Sequence, residues 1–436
     1  MYIYPKDLLS YLEDKWSNPP LYLQNRYKPL PPIEILNSLI EVTYHTSFMT
    51  EELRGIKFRI AYCSKEEITN WLDKRDTVYL IEFNKRRNFN ISELLRLSPA
   101  TDPSKVLICI DSESEDNLFI WGLLDLGASW SNFATGNSSG GQVPPDALTI
   151  SSQGPGNLSI SRSGIILLNL VGGMIVEPID NVFYKGPISN FFTNSYRDLV
   201  AQTNNELDTD KYDKNKDNLP ILNYTRFLQR ILFKIQEMRH GGTIIVVPDD
   251  ITLDDERMVH KIKVKYPCNV HKAWNLLIKS LVLHKKYYKL HFSLWDRKKE
   301  TIKNAEYRDV STLASDIETN DDTISDMIDF ISRLAGVDGS IVMTDKLRLL
   351  GFGAEVITLP QELESVQIAN DAFGSDNQHI PIESFGTRHR SAFRLCYSYE
   401  DAVCFVISQD GGLKAVKKQE ENLIVWNNIN SSVFGI

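Results

Sequence analysis

One segment of the C-terminal half, ESFGTRHRSAFRLC, concentrates residue types that bind anions. It places Arg388, His389 and Arg390 in succession, directly after Gly386 and Thr387. Guanidinium forks match the geometry of phosphate oxygens, and histidine adds a hydrogen bond or a charge near neutral pH. A glycine permits close backbone approach, and a threonine hydroxyl donates a hydrogen bond. A helix beginning here would also favour phosphate at its N-terminus, so the segment predicts a polyphosphate site.

A second segment, GVDGSIVMT, places a carboxylate at the mouth of a predicted strand. Asp338 is followed there by Gly339 and the small Ser340. A carboxylate in this position can hold a hard cation through its oxygens, and the glycine lets a substrate approach the backbone. A third segment, SQDGG, follows the strand AVCFVIS and adds Ser408 and a second carboxylate, Asp410.

Each segment taken alone has a simpler interpretation. Asp-Gly is usually a turn, Arg-His-Arg is usually a solvated helix start, and SQDGG is by default a hairpin turn. Their succession favours a site: Asp-Gly-small opens a strand, Gly-Thr-Arg-His-Arg opens a helix, and Ser-x-Asp-x-Gly ends the next strand.

The elements that must position these residues follow an α/β pattern. Apolar residues at helical spacing predict helices in YTRFLQRILFKIQEMRHGG, in 271–292 and in 321–336. TIIVVP and GSIVMT are typical of buried strands. We therefore expect the C-terminal domain to be a mixed sheet flanked by helices.

The first half of the chain predicts a β-rich α+β domain. A helix is expected over 33–53, and short β-branched runs separated by Gly, Pro, Asn and Ser continue to about 185. The segment NNELDTDKYDKNKDN is charged and nearly devoid of apolar residues, which is typical of a linker. The predicted organisation is a domain over 1–203, a linker over 204–219 and a domain over 220–436.

Composition limits the classes of function. A net charge of −9 over 436 residues argues against a long nucleic-acid-binding surface. The five cysteines form no CxxC pair, which suits a reducing compartment. The most apolar stretch, 163–176, is too short to span a bilayer, and the N-terminus lacks the apolar core of a signal peptide. We expect a cytoplasmic protein that binds neither nucleic acid nor membrane.

Together the three motifs resemble those of the diadenylate cyclase family, whose catalytic domain carries Asp-Gly-Ala and Arg-His-Arg. The resemblance is closest over about 325–416 and extends more loosely over 222–416. The β-rich half resembles the DACNV-like sensor domain that precedes some of these cyclases. The resemblance implies condensation of two ATP into cyclic di-AMP and two pyrophosphates, under control of the N-terminal domain. It implies catalytic roles for Asp338, Arg388, His389 and Arg390, with Mg²⁺ or Mn²⁺ held by Asp338 and Asp410. The substrate-binding residues that it implies are Gly339, Ser340, Gly386, Thr387 and Ser408.

The implied reaction also predicts an oligomer. One pocket that holds one ATP cannot close a symmetric cyclic dinucleotide, so two catalytic domains must face each other in a homodimer or larger assembly.

Three departures from the family pattern keep an alternative open. Ser340 stands where the family has alanine, SQDGG has one of two expected acidic residues, and 361–379 looks like an inserted loop that could cover or block the site. The alternative is a catalytically inactive module that senses a nucleotide or cyclic dinucleotide with the same pocket. GTP or mixed substrates also stay open, because nothing in the motifs reads the base. A DNA-scanning role lacks support, since we see no helix-hairpin-helix-like extension.

Overall fold

The structure, a computed structural model, divides by internal contacts into two units. The first comprises residues 1–178 with 432–436, and the second comprises 179–431. The residues that it describes are 4–17, 28–51, 54–72, 78–115, 117–134, 144–176, 182–207, 219–295, 304–359, 363–375, 377–409, 412–427 and 429.

In its described residues, the N-terminal unit is built on an eight-stranded mixed sheet. The strand order is β10-β9-β8-β7-β3-β5-β6-β4, with β3 and β5 parallel and the other pairs antiparallel; β1 and β2 form a separate pair. The helices are α1 (Leu8–Ser17), α2 (Ile33–Ser47), α3 (Lys65–Leu72), α4 (Ile91–Leu97) and α5 (Gly127–Ala134). The strands are β1 (Thr50–Glu51), β2 (Arg54–Gly55), β3 (Phe58–Tyr62), β4 (Tyr79–Asn88), β5 (Val106–Ser114), β6 (Asn117–Asp125), β7 (Leu148–Gly154), β8 (Asn157–Arg162), β9 (Ile165–Val171) and β10 (Met174–Val176).

The C-terminal unit carries, in its described part, a nine-stranded mixed sheet of order β12-β14-β13-β11-β17-β18-β19-β15-β16. Its helices are α6 (Gly186–Phe191), α7 (Thr193–Leu207), α8 (Leu219–Glu237), α9 (Glu256–Val259), α10 (Lys272–Trp295), α11 (Asn304–Arg333) and α12 (Thr387–Ser398). The strands are β11 (Gly242–Val247), β12 (Ile262–Val270), β13 (Ser340–Thr344), β14 (Leu349–Val356), β15 (Ser365–Ala369), β16 (Asn377–Pro381), β17 (Val403–Ile407), β18 (Leu413–Gln419) and β19 (Asn422–Trp426). The predicted fold class, a mixed sheet with flanking helices preceded by a β-rich domain, is confirmed.

Strand β11 lies in the middle of this sheet and is buried along its whole length. Its alternating side chains enter two cores: Ile244 packs with α7, α8, α10 and α11, while Ile245 packs with α12. A strand covered on both faces reads as a continuous apolar run, as TIIVVP does. The sheet is therefore a rigid base between two helical layers.

The division between the units comes earlier than the predicted linker. Residues 208–218 of that linker lie outside the described residues, and 204–207 belong to α7. Helices α6 and α7 are part of the C-terminal unit because Phe192, Tyr196 and Leu199 pack in its core with Tyr224. The charged composition of the linker did not reveal this packing.

The predicted insertion at 361–379 is not simply a loop. Within it, β15 and the start of β16 form an antiparallel pair, and β15 adds to β19 in parallel. Alternate burial of Val366 and Ile368 against the α12-side core anchors it. The insertion therefore extends the sheet at its far edge, beyond β18 and β19.

Helix lengths also differ from the predicted ones. The helix predicted over 321–336 begins at Asn304 in the structure. The sequence did not indicate its first half, because that half is polar, largely exposed and without an apolar stripe. The helix predicted over 33–53 ends at Ser47. None of the helices, as far as their residues are described, is long and apolar enough to cross a membrane.

Candidate phosphate-binding site

Three chain segments meet at one end of the central strands. Antiparallel pairing sets Gly242, the first residue of β11, opposite Ile407, the last of β17. Parallel pairing of β11 with β13 sets Ile244 beside Ile341. One end of the sheet therefore holds Gly241 before β11, the Asp338–Gly339 pair before β13, and Ser408 after β17.

Helix α12 begins at this same end. Its N-cap is Gly386, which has no side chain to accept hydrogen bonds from the first turn. His389 Nε2 lies 3.4 Å from Ser408 Oγ, and Arg388 lies against Gly241. The helix packs through Phe393 on the sheet face that holds Ile245 and Val342, so alternation puts Ser340 on that face as well.

The Asp-Gly-Ser segment has a backbone that demands glycine. Gly339 has a φ of 117°, and a Cβ on it would lie 2.5 Å from the carbonyl carbon of Gly353. No L side chain fits that position, so the glycine is required for close packing against β14. Asp338 is exposed while Ser340 is buried, which directs the carboxylate outward at the sheet end.

Three charged side chains at this end have no partners in the described part of the chain. The side chains of Asp338, Arg388 and Arg390 make no hydrogen bond or ion pair with any described residue. The first turn of α12 contains no acidic residue, although the helix dipole disfavours cations there. A local conflict of this kind is typical of a binding site, where a ligand supplies the missing anion.

The donor set fits a divalent cation that arrives with a phosphate ligand. Mg²⁺ and similar ions are usually held by one or two carboxylates plus substrate oxygens and water. Asp338 supplies one uncommitted carboxylate, whereas Asp410 lies outside the described residues. Within the described residues no group of three or more His, Cys, Asp or Glu side chains forms a metal cluster.

The structure thus brings Asp338, Ser340, Arg388, His389 and Ser408, from three separate segments, to the same end of the sheet. Gly386, Thr387 and Arg390 follow with the first turn of α12, and Gly339 with Asp338.

Sequence reasoning missed an aromatic pair beside this end of the sheet. Tyr266 on β12 stacks on Phe352 of β14 with ring centroids 4.9 Å apart. A Cβ built on Gly353 lies 3.3 Å from Tyr266 Cδ2 and 3.5 Å from the carbonyl oxygen of Asp338. Half-exposed aromatic rings can stack on a nucleobase. Only the alternation of KVKYPC could have hinted at an exposed Tyr266.

Comparison with known proteins supports the N-terminal assignment. Residues 25–125 match the family model described as "Probable sensor domain DACNV". No curated protein matches the chain. The matched range ends with β6, so strands β7 to β10 extend the same sheet beyond it. The N-terminal part of this chain therefore carries a probable sensor domain of the DACNV type.

Proposed function

We propose that the C-terminal unit is a diadenylate cyclase, which condenses two ATP into cyclic di-AMP and two pyrophosphates under control of the DACNV domain. The observation that carries the proposal is that the Asp338 carboxylate and the guanidinium groups of Arg388 and Arg390 lie at the same end of the sheet. None of the three makes a hydrogen bond or ion pair with a described residue. The DACNV match supports it, because this sensor family is associated with diadenylate cyclases.

The proposed chemistry forms one phosphodiester bond at a time. The 3′-hydroxyl oxygen of one ATP attacks the α-phosphorus of the other, the bond to the bridging oxygen of pyrophosphate breaks, and the hydroxyl proton is lost; the step then repeats. Such transfer depends on positioning and on charge neutralisation. Arg388, Arg390 and Thr387 would bind phosphate oxygens and counter the charge of the departing pyrophosphate.

The remaining residues orient the nucleotide. His389 and Ser408, 3.4 Å apart, would share a phosphate oxygen, while Gly339, Ser340 and Gly386 allow close approach to the backbone. Asp338, with Asp410 expected as a second carboxylate, would hold Mg²⁺ or Mn²⁺, which when bound withdraws charge from the α-phosphate.

The reaction requires two such units face to face, so we expect a homodimer or larger assembly whose rate per subunit rises with concentration. We expect the enzyme in the cytoplasm, because its five cysteines are free thiols.

The alternative is an inactive module that binds ATP or a cyclic dinucleotide at the same residues. Asp338, which is exposed and has no partner among the described residues, favours the enzyme, since a carboxylate beside a phosphate repels it unless a cation lies between them. The base preference stays open between ATP and GTP, because Tyr266 and Phe352 would stack on either.

The test is incubation of the full-length protein with ATP or GTP plus Mn²⁺ or Mg²⁺, followed by mass spectrometry of the products. We expect cyclic di-AMP from the wild type, none from Asp338→Asn, and product from Ser340→Ala, which restores the family's alanine. Bound but unconverted ATP in both the full-length protein and residues 179–431 would contradict the cyclase and support the sensing alternative. Absence of any nucleotide binding would contradict both.

A further inference from the structure

The turn before β11 is shaped by an unusual backbone. Arg239 and Gly241 both have positive φ, 54° and 66°. A Cβ built on Gly241 would lie 2.6 Å from Arg388 Nη1 and 2.7 Å from the carbonyl oxygen of Ile407. The guanidinium of Arg388 thus occupies the space that any side chain at position 241 would fill. We call this space the slot.

This slot positions Arg388 without using its hydrogen-bond donors. Arg388 makes no hydrogen bond or ion pair with the described part of the chain, although its guanidinium lies against backbone. An ion pair would hold the side chain equally well but would compete with a ligand for the same N–H groups. The exposed Arg388 guanidinium therefore lies against the turn without committing its donors to a described residue, which leaves them for phosphate.

We propose that Gly241 is a positioning residue for Arg388: the absence of its side chain lets the guanidinium lie where a nucleotide polyphosphate binds. The proposal rests on the proposed function of the site, and it holds for either a cyclase or a sensing module. Gly241 precedes the strand that pairs with both β13 and β17, so it lies at the same sheet end as Asp338 and Ser408.

The experiment measures ATP and pyrophosphate affinity of the full-length protein, with Mg²⁺, by calorimetry. Gly241→Ala and Gly241→Asn both put a Cβ in the slot, and the flexible end of Arg388 yields more easily than the backbone. Asparagine tolerates positive φ far better than alanine does, so it separates the strain of the φ angle from loss of the slot. The contact of the new Cβ with the carbonyl oxygen of Ile407 is common to both variants. We expect both variants to weaken both ligands by about 10- to 100-fold.

A double-mutant cycle identifies Arg388 as the group affected. In an Arg388→Ala background, Gly241→Asn should change affinity by less than about twofold, because the guanidinium that its Cβ would displace is gone. The remaining close contact, with the carbonyl oxygen of Ile407, is the same in both backgrounds. Two substitutions serve as controls and should leave affinity unchanged. Gly172→Ala places a Cβ at a residue with a φ of 58° and no described atom within 4 Å. Gly242→Ala places a Cβ next to Gly241 that contacts the side chains of Ala335 and Ile235 and not Arg388.

Unchanged affinity in Gly241→Asn, whether or not Gly241→Ala loses affinity, would overturn the proposal. An equal loss of affinity with and without Arg388 would overturn it as well. ATP that binds both the full-length protein and residues 179–431 without forming product would contradict the cyclase but leave this cycle fully interpretable. A wild type that binds neither ATP nor pyrophosphate would overturn both.

Discussion

The two ends of the parallel strands β11 and β13 both carry charged side chains, and they differ in whether those charges have partners. At the carboxyl end, Arg348 Nε lies 3.1 Å from Asp249 Oδ1. Lys346 Nζ lies 2.7 Å from Oδ2 of Asp198 in α7. At the amino end, Asp338 and Arg388 make no hydrogen bond or ion pair with described residues.

The difference separates structural charges from binding charges. Charges at the carboxyl end hold the β13–β14 turn and α7 to the sheet: Ser195 of α7 donates to Asp345 Oδ2, and Tyr224 donates to the carbonyl oxygen of Asp345. Unpaired charges gathered at one place cost stability and are kept where a ligand compensates them. Mutations at the two ends should therefore have opposite effects on stability and binding.

The largest effect should come from removing the segment that supplies partners to the carboxyl end. A truncation starting at 220 loses Ser195 and Asp198, and it also loses the buried side chains of Phe192, Tyr196 and Leu199. Each large apolar side chain contributes about 1.5 to 3 kcal/mol, against a total stability of about 5 to 15 kcal/mol. We expect 220–431 to be unfolded and 179–431 to give a cooperative urea transition. Equal unfolding midpoints for the two would contradict this assignment of α7.

Breaking one charge at the carboxyl end should destabilise the protein and spare the ligand. Arg348 is 12 % exposed, and it donates to the carbonyl oxygens of Asp249 and Ile251 as well as pairing with the Asp249 carboxylate. Arg348→Ala should lower the free energy of unfolding by about 2 to 3 kcal/mol, because it removes the donor to two carbonyl oxygens and the ion-pair partner of Asp249. Urea denaturation measures this, and ATP affinity at 25 °C should stay within about twofold of wild type.

Removing a charge at the amino end should weaken ligand binding and leave the stability of the protein intact. Arg388→Gln should weaken ATP binding by about 10- to 100-fold, since it removes a charge-assisted fork to phosphate. The same change should leave stability equal or higher by up to about 0.5 kcal/mol, because a cation near a helix N-terminus opposes the dipole. Calorimetry measures the expected loss of ATP affinity, and urea denaturation of the same preparation measures the free energy of unfolding, which should be equal to or above that of the wild type. A loss of stability as large as that of Arg348→Ala would remove the contrast between the two ends.

The amino-end residues were more predictable from sequence than their surroundings. Asp338 and the 388–390 triplet are recognisable because glycine, carboxylate and guanidinium occur at fixed local spacings. The contact of Arg388 with Gly241 was not predictable, since locally Gly241 reads only as the end of a helix. The same holds for the membership of α7 and for the β15–β16 pair: each depends on tertiary packing that a polar or charged local sequence conceals.

The smallest expected effect concerns the pH dependence of the carboxyl end. Burial raises the pKa of Asp345, with repulsion from Asp249 adding to it and the hydrogen bond from Ser195 opposing it. Since the folded pKa lies above the unfolded one, the stability that comes from the protonated carboxyl is fully present below the ordinary value of 3.8 and is lost as pH rises through the folded pKa. Asp345→Asn does not titrate, so its stability relative to wild type should increase as pH is raised from 4 to 7, approximately. Urea midpoints of the wild type and of Asp345→Asn, measured across that range, test this. A constant difference between Asp345→Asn and wild type would mean that the Asp345 carboxyl is not destabilised by burial, and that its role is confined to accepting the hydrogen bond from α7.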